Sequence, residues 1–348
     1  MLPPRLLRRL VLAPLAVVMA LAVGVLFPLL APLTLALSLL RHGTLGRMRA
    51  FRLLFFALVW LSAESSALFM SLGLWIASRF GGRLDTEPYR RHHYAVMRWY
   101  LDQVFDAAVR LFGLRVVIDE PESCARRPSA ASARPVIVLS RHAGPGDAFL
   151  LVHYLLTRYD RRPRVVMKAT LQLDPGLDVV ANRVPNVFIQ HREGGHGRLV
   201  EQIERLARGL ARDDALVIFP EGGNWTPRRW RRGIRRLKQA GQPDLAARAR
   251  AMPNVLAPRA GGALAAIAAC PEADVIFVAH TGLDRLVSAG DVWRSLPLDQ
   301  VVHATWWRVP AGQVPHSEGR QSQELWLYAW WERIDTWISQ HRPATAGK

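Results

Sequence analysis

The 348 residues suffice for one catalytic domain with an N-terminal appendage. The two cysteines, Cys124 and Cys270, have no CxxC spacing and no nearby His cluster, which argues against a zinc site or a disulfide framework. A net charge of +18, almost all from Arg because Lys stands only at 168, 238 and 348, makes the surface attract phosphates. No nucleic-acid-binding motif accompanies that charge, and the apolar N-terminus points to lipid instead.

Leu10 to Leu40 carries no charge. At 1.5 Å per residue it is too long for one perpendicular crossing of a roughly 30 Å hydrocarbon core. Pro14, Pro28 and Pro32 predict a broken or bent element. A second apolar run, Leu53 to Ser78, is interrupted only by Glu64. A secretory signal peptide is the alternative for the first run, since Arg5, Arg8 and Arg9 precede it and Ala20-Leu-Ala22 mimics a cleavage site. The apolar stretch, however, continues well past that site. Arginines stand before the first run (Arg5, Arg8, Arg9), between the runs (Arg41, Arg47, Arg49, Arg52) and after the second (Arg79, Arg83). Two full spans would carry one Arg-rich end across the membrane, against the positive-inside bias. Runs that dip into one leaflet and return leave every Arg at the headgroups. The expectation is therefore a monotopic or re-entrant anchor over residues 1–84, with the catalytic domain on the cytoplasmic face.

Residues 85–134 read as a link. They comprise an amphipathic helix Glu87 to Phe112 with Met97, Leu101, Val104, Phe105 and Val109 near one face, a short strand around Arg115 to Ile118, and an exposed loop Pro121 to Arg134. Over residues 135–320, strands are expected near 136–140, 163–168, 186–190, 215–219, 274–279 and 302–309, and helices near 148–158, 196–211, 242–251 and 260–269. That rhythm predicts an α/β domain with a largely parallel sheet flanked by helices. Residues 321–348 read as a Trp-rich C-terminal helix and tail, packed on the domain core or turned to a membrane interface.

In such sheets the site lies beyond the carboxyl ends of the strands. His142, Arg192 and Glu221 each follow a predicted strand, so all three are expected on one rim. On a regular helix His142 and Asp147, five apart, would point about 140° away from each other. Gly144-Pro145-Gly146 breaks that regularity and lets His142 sit on the turn with Asp147 at or near the next N-cap. The Asp can then hold one imidazole nitrogen and leave the other as a base, which is a catalytic triad without its protein nucleophile. Arg192, beside glycines, is suited to grip a phosphate. In Phe219-Pro-Glu221-Gly222-Gly223-Asn-Trp-Thr-Pro227 the glycines open backbone N–H groups to a ligand, and Glu221 would bond a substrate hydroxyl or organise the loop. The basic run Arg228 to Arg232 reads as a solvated face or as charge for an anionic headgroup, a phosphopantetheine carrier or the bilayer surface.

His142-x4-Asp147, then Val187-Phe-Ile-Gln-His-Arg192, then Phe219-Pro-Glu-Gly222 about 80 residues after the His, resembles the signature set of the glycerolipid acyltransferases typified by 1-acyl-sn-glycerol-3-phosphate acyltransferase. Val255-Leu-Ala-Pro258-Arg259-Ala-Gly-Gly262 is similar to a later Pro-Arg-x-x-Gly block of the lysophospholipid and lysocardiolipin branch. The resemblance covers roughly residues 135–280 and the apolar N-terminal pair. It implies transfer of an acyl group from acyl-CoA or acyl carrier protein to a hydroxyl of lysophosphatidic acid or a related lysophospholipid. In that scheme His142 is the general base and Asp147 its orienter. Arg192, Glu221 and Gly222, with Gly223 beside them, bind the glycerol phosphate, and Arg259 is a further candidate. No metal or other cofactor is implied.

Three departures bear on the acceptor rather than on the chemistry. Arg141 stands where the family usually has Asn. The turn is Ala-Gly-Pro-Gly instead of one with Ser and Trp. The third block reads Glu-Gly-Gly-Asn instead of Glu-Gly-Thr-Arg, so a phosphate-binding Arg is missing unless Arg228 or Arg229 replaces it. Two other classes stay open from the residues alone. One is a metal-dependent hydrolase using His142, Asp147, His153 and His191; the other is a non-enzymatic basic membrane scaffold.

Overall fold

The computed structural model describes residues 2–42, 48–120, 134–144, 146–189, 196–284, 289–298 and 301–342. Most of the loop expected over Pro121 to Arg134, together with Cys124, Pro145, Arg47, His191 and Arg192, lies outside the described residues. The elements run α1 (Arg5–Leu7), a π-helical turn (Arg8–Leu12), α2 (Ala13–His42), α3 (Arg49–Ala77), α4 (Glu87–Phe112), β1 (Arg115–Asp119), β2 (Val136–Ser140), α5 (Asp147–Thr157), β3 (Arg162–Lys168), α6 (Pro175–Val180), β4 (Val187–Ile189), α7 (His196–Arg208) and β5 (Asp214–Ile218). They continue with α8 (Pro227–Gln239), α9 (Pro243–Ala251), α10 (Ala260–Ala269), β6 (Asp274–Thr281), α11 (Ala289–Ser295), β7 (Val301–Val309) and α12 (Arg320–His341).

The strands form one seven-stranded sheet in the order β1-β7-β6-β2-β5-β3-β4. β2 pairs in parallel with both β5 and β6, β3 pairs in parallel with β5, and β7 turns back antiparallel on β6. The expected mostly parallel sheet with flanking helices is what forms. All five residues of β2 and all five of β5 are buried, as near-continuous apolar runs in the middle of such a sheet require.

The chain divides into two compact units. The first comprises residues 1–115, 167–190 and 290–299. Its α2 and α3 are each long and apolar enough to cross a membrane by length and composition. Of the broken or bent element expected there, the break is absent: α2 runs on as one helix through Pro28 and Pro32. Helix α3 lies against α2 through Phe27, Phe51 and Phe55 and against α4, where the Phe56 and Phe112 rings are 4.5 Å apart. Glu64 does not merely interrupt α3: it is buried, and its carboxylate accepts from the Gly176 N–H at 3.1 Å. Arg8 and Arg9 both pair with the buried Asp178, at 2.7 and 3.1 Å. On α4, Leu101 and Val104 are buried as expected, whereas Val109 is exposed because His93, Tyr94, Val96 and Ala107 complete the inward face.

The second unit comprises residues 116–166, 191–289 and 300–348. Its C-terminal helix α12 turns Leu327, Tyr328, Trp331, Ile334 and Ile338 inward, and Trp330 stacks on Phe277 of β6 at 4.5 Å. The Trp content of this segment thus packs the core of its own unit.

Candidate active site

Two neighbouring parallel strands deliver the site. Leu139 of β2 is in register with Ile218 of β5, so the residues that follow both strands emerge at the same edge of the sheet. His142 comes two residues after β2 and Glu221 three after β5. Because β2 is buried and paired on both sides, the chain leaving it has little freedom.

Asp147 is the first residue of α5, preceded by Gly146 at φ 95°, a backbone conformation that favours glycine. The His142 Nδ1–H donates to Asp147 Oδ2 at 2.9 Å, and the same oxygen accepts from the Ala143 and Gly144 N–H groups at 2.8 and 3.3 Å. The carboxylate thus holds the ring and the turn that carries it. Burial alone would raise the Asp147 pKa, but the His142 hydrogen bond and the neighbouring His280 hold it below its ordinary value. An ionised Asp147 on Nδ1 fixes the tautomer whose Nε2 lone pair is open. Among the described residues Nε2 has no hydrogen bond, while the Phe219 ring lies 4.8 Å from the imidazole and backs it.

Glu221 is buried, with one oxygen accepting from the His142 N–H at 3.3 Å and the other from the Leu256 N–H at 3.1 Å. It therefore ties the His142 turn to the segment before Arg259. Burial pushes its pKa up to about 8 despite the opposing charge of Arg141. The turn is closed by Gly222 N–H to Phe219 C=O and by Arg259 N–H to Pro220 C=O, at 3.0 and 2.9 Å, and Trp225 N–H donates to His142 C=O at 2.9 Å.

Both glycines after Glu221 lie beneath a guanidinium. A Cβ on Gly222, which sits at φ 68°, would come within 3.1 Å of the Arg259 guanidinium; one on Gly223 would meet Arg229 Nη1 at 2.9 Å. Arg229 donates to Asn224 C=O at 3.0 Å. Burial, and then the charges of Arg236 and Arg229, hold the Arg259 pKa below the usual guanidinium value. Three cations thus face one another without a carboxylate between them among the described residues, an arrangement that an anion stabilises.

The structure brings His142, Asp147, Glu221, Gly222, Gly223 and Arg259 together on the second unit. Arg192 lies outside the described residues. In the sequence Arg141 is visible only as a departure from the family pattern. It is a fully buried brace that pairs with Asp284 and donates to the carbonyls of His280 and Asn254. Asp284, Asn254 and His280 gave no local signal, because each is set by contacts more than 100 residues away from Arg141. Burial holds His280 below the ordinary histidine pKa, with Arg141 adding to it, against the opposing pull of the nearby Asp147. Among the described residues, no group of three or more His, Cys, Asp or Glu is placed to hold a metal ion.

Residues 116–270 match the family model described as Acyltransferase. That stretch is therefore similar to the acyltransferase domains of the glycerolipid acyltransferase family. It encloses the His142–Asp147 pair, the Glu221 turn and Arg259. No curated protein matches the chain.

Proposed function

We propose that the protein is a membrane-associated O-acyltransferase that moves a fatty acyl group from a thioester, acyl-CoA or acyl carrier protein, to a hydroxyl of lysophosphatidic acid or a related lysophospholipid. His142 Nε2 takes the proton of the acceptor hydroxyl as its oxygen attacks the thioester carbonyl. The C–O bond forms, the C–S bond breaks, and the imidazolium returns the proton to the departing thiolate. A thioester is already activated, so one oriented base and a positioned acceptor are enough and no acyl-enzyme is needed. Arg259 and Arg229 take the acceptor phosphate, with Arg229 standing in for the Arg absent from the Glu-Gly-Gly-Asn turn. Arg192 is the further candidate for that duty.

The observation that carries this reading is the 2.9 Å bond from His142 Nδ1 to a buried Asp147, with Nε2 left open at the edge of the sheet. His142→Ala is expected to lower transfer to a lysolipid acceptor by about 100-fold or more, the typical worth of a general base, with the far-ultraviolet spectrum unchanged. Product would be followed by mass with labelled acyl-CoA and a panel of lysolipids. Turnover within a few-fold of wild type, on about the scale of a surface substitution, would remove His142 from the base role.

Attachment to one leaflet fits the first unit. Arg8 and Arg9 are bound to Asp178. Arg49, at the start of α3, donates to the Leu296 and Arg294 carbonyls at 3.0 Å, and further along the helix the Ser71 carbonyl accepts from Arg183 at 2.6 Å. A helix fastened along its length to its own unit lies on that unit instead of leaving it to cross a bilayer. Helix α2 covers it, with Leu21, Val25 and Leu29 between 64% and 77% exposed. Those side chains are the part of the anchor offered to acyl chains.

A further inference from the structure

His142 stands beside β6 as well as after β2. The last pair between those parallel strands is Ser140 with Val278. Had the pairing run on, residue 142 would have faced residue 280, and the side chain there is a second imidazole. His280 is 7% exposed, too little to present its ring to a substrate. Its Nε2 lies 3.1 Å from the Arg141 carbonyl oxygen and 3.8 Å from Asp147 Oδ2. A carbonyl only accepts, so Nε2 carries a hydrogen and donates it there. The contact with Asp147 is too long for a hydrogen bond, and Oδ2 already accepts from His142, Ala143 and Gly144.

The Arg141 carbonyl belongs to the peptide that joins Arg141 to His142. Such a unit is planar, with its C=O and N–H pointing to opposite sides. His280 grips the C=O edge from β6, and Glu221, on the turn after β5, takes the N–H edge through the His142 N–H at 3.3 Å. The Ser140 hydroxyl also donates to the Arg141 carbonyl at 3.1 Å, but as a chain neighbour it moves with the turn. The Glu221 bond is long for N–H···O, so His280 supplies the shorter of the two bonds that tie this plane to other strands. Turning the plane changes the direction in which the His142 side chain leaves the backbone. The Asp147 bond at Nδ1 would then pivot the ring and displace Nε2 at its far end.

The surroundings explain why an imidazole suits the position. Asp147, Arg141 and Asp284 are the charged groups about the ring, and β7 sets the uncharged Ala304 opposite it. A Lys or Arg there would press a permanent cation against Arg141. A Ser or Thr hydroxyl would fall short of the Arg141 carbonyl.

We infer that His280 is a positioning residue for the base: from β6 it clamps the peptide preceding His142 and so sets where Nε2 meets the acceptor hydroxyl. This rests on the acyl-transfer reading above. A misplacement of about 1 Å at a reacting group costs on the order of 100-fold in rate. Because the ring acts through His142 and not on the acceptor phosphate, the effect belongs in kcat.

The test compares His280→Gln with His280→Asn in the full chain. Both side chains are uncharged amides, but only Gln reaches as far as the imidazole Nε2. With palmitoyl-CoA and lysophosphatidic acid, Gln should keep kcat within about threefold of wild type, the scale of a conservative change. Asn should lower kcat by about tenfold or more, with the acceptor KM within about twofold. A second readout needs no turnover. In spectra of isotope-labelled histidine, the His142 Nδ1–H resonance, assigned by its loss in His142→Ala, should stay in place in Gln and shift in Asn. Equal kcat in the two variants would overturn the inference, as would an Asn defect confined to the acceptor KM or an unmoved Asn resonance. If Asn fails to fold, judged by its far-ultraviolet spectrum, Gln decides alone, and a fall in its kcat beyond about threefold overturns the inference. Failure of both to fold would make the ring a packing residue and overturn it too. Wild-type protein that turns over no lysolipid would end the acyl-transfer reading, and the resonance would still decide the role of His280.

Discussion

At the scale of single residues, Asp147 and Glu221 are both buried carboxylic acids at one turn, yet their surroundings push them in opposite directions. Asp147 has an imidazole and three backbone N–H groups, so the charged form is favoured. Glu221 has two backbone N–H groups and full burial, and is driven up to about 8. Asp147→Asn would present an amide that either loses the charge-assisted bond or selects the wrong tautomer. The expected loss of kcat is about 100-fold or more, and a near-wild-type kcat would show that the carboxylate does not orient the base. For Glu221 the sign of the pH effect is fixed by the direction of the shift. Between its ordinary value of 4.5 and about 8 the folded protein keeps a proton that the unfolded chain releases, so its contribution to stability declines as pH rises through that window. His280 acts oppositely, losing stability as pH falls below 6.5, but equally in wild type and in Glu221→Gln. Urea midpoints measured across that range should fall with pH more steeply in wild type than in the Gln variant. Parallel profiles would mean that Glu221 is ionised throughout.

At the scale of elements, Arg141 holds the end of β2 to the turn after β6 through Asp284, and to the segment that Glu221 also grips through Asn254. Asp284→Asn leaves a buried guanidinium short of its partner and is expected to cost about 3–5 kcal/mol. A loss below about 1 kcal/mol, the scale of a surface pair, would show that water already reaches Arg141. The strands were legible in the sequence because runs such as Val136-Ile-Val-Leu combine β-branched residues with burial on both faces. Helix α8 was not, because six Arg and a Gly leave no apolar stripe. Its formation depends on Thr226, Pro227 and two inward side chains, Trp230 and Ile234, and of these only the Thr-Pro start is written locally. The His142–Asp147 pair was legible because its members stand only five positions apart. The partners of Arg141 were not, because their separation in sequence exceeds anything that spacing can report.

At the scale of the whole molecule, a +18 chain divides its cations between buried work and open display. Arg8, Arg141 and Arg164 are buried in ion pairs with Asp178, Asp284 and Asp214, while the cations of α8 stay in solvent. Composition alone could not separate the two. The exposed side chains of α2 should carry binding to neutral phosphatidylcholine vesicles. Replacing Leu21, Val25 and Leu29 by Ser removes three large apolar groups worth roughly 1.5–3 kcal/mol each, so vesicle co-sedimentation should fall sharply; unchanged sedimentation would place the contact elsewhere. The double pairing at Asp178 has a practical corollary for anyone seeking a more soluble version. Trimming the first nine residues to shed greasy sequence would also take away both counter-ions of a carboxylate that is 1% exposed. The shortened protein would have to hydrate or protonate that acid, and its handling would worsen unless Asp178 were exchanged for Asn at the same time.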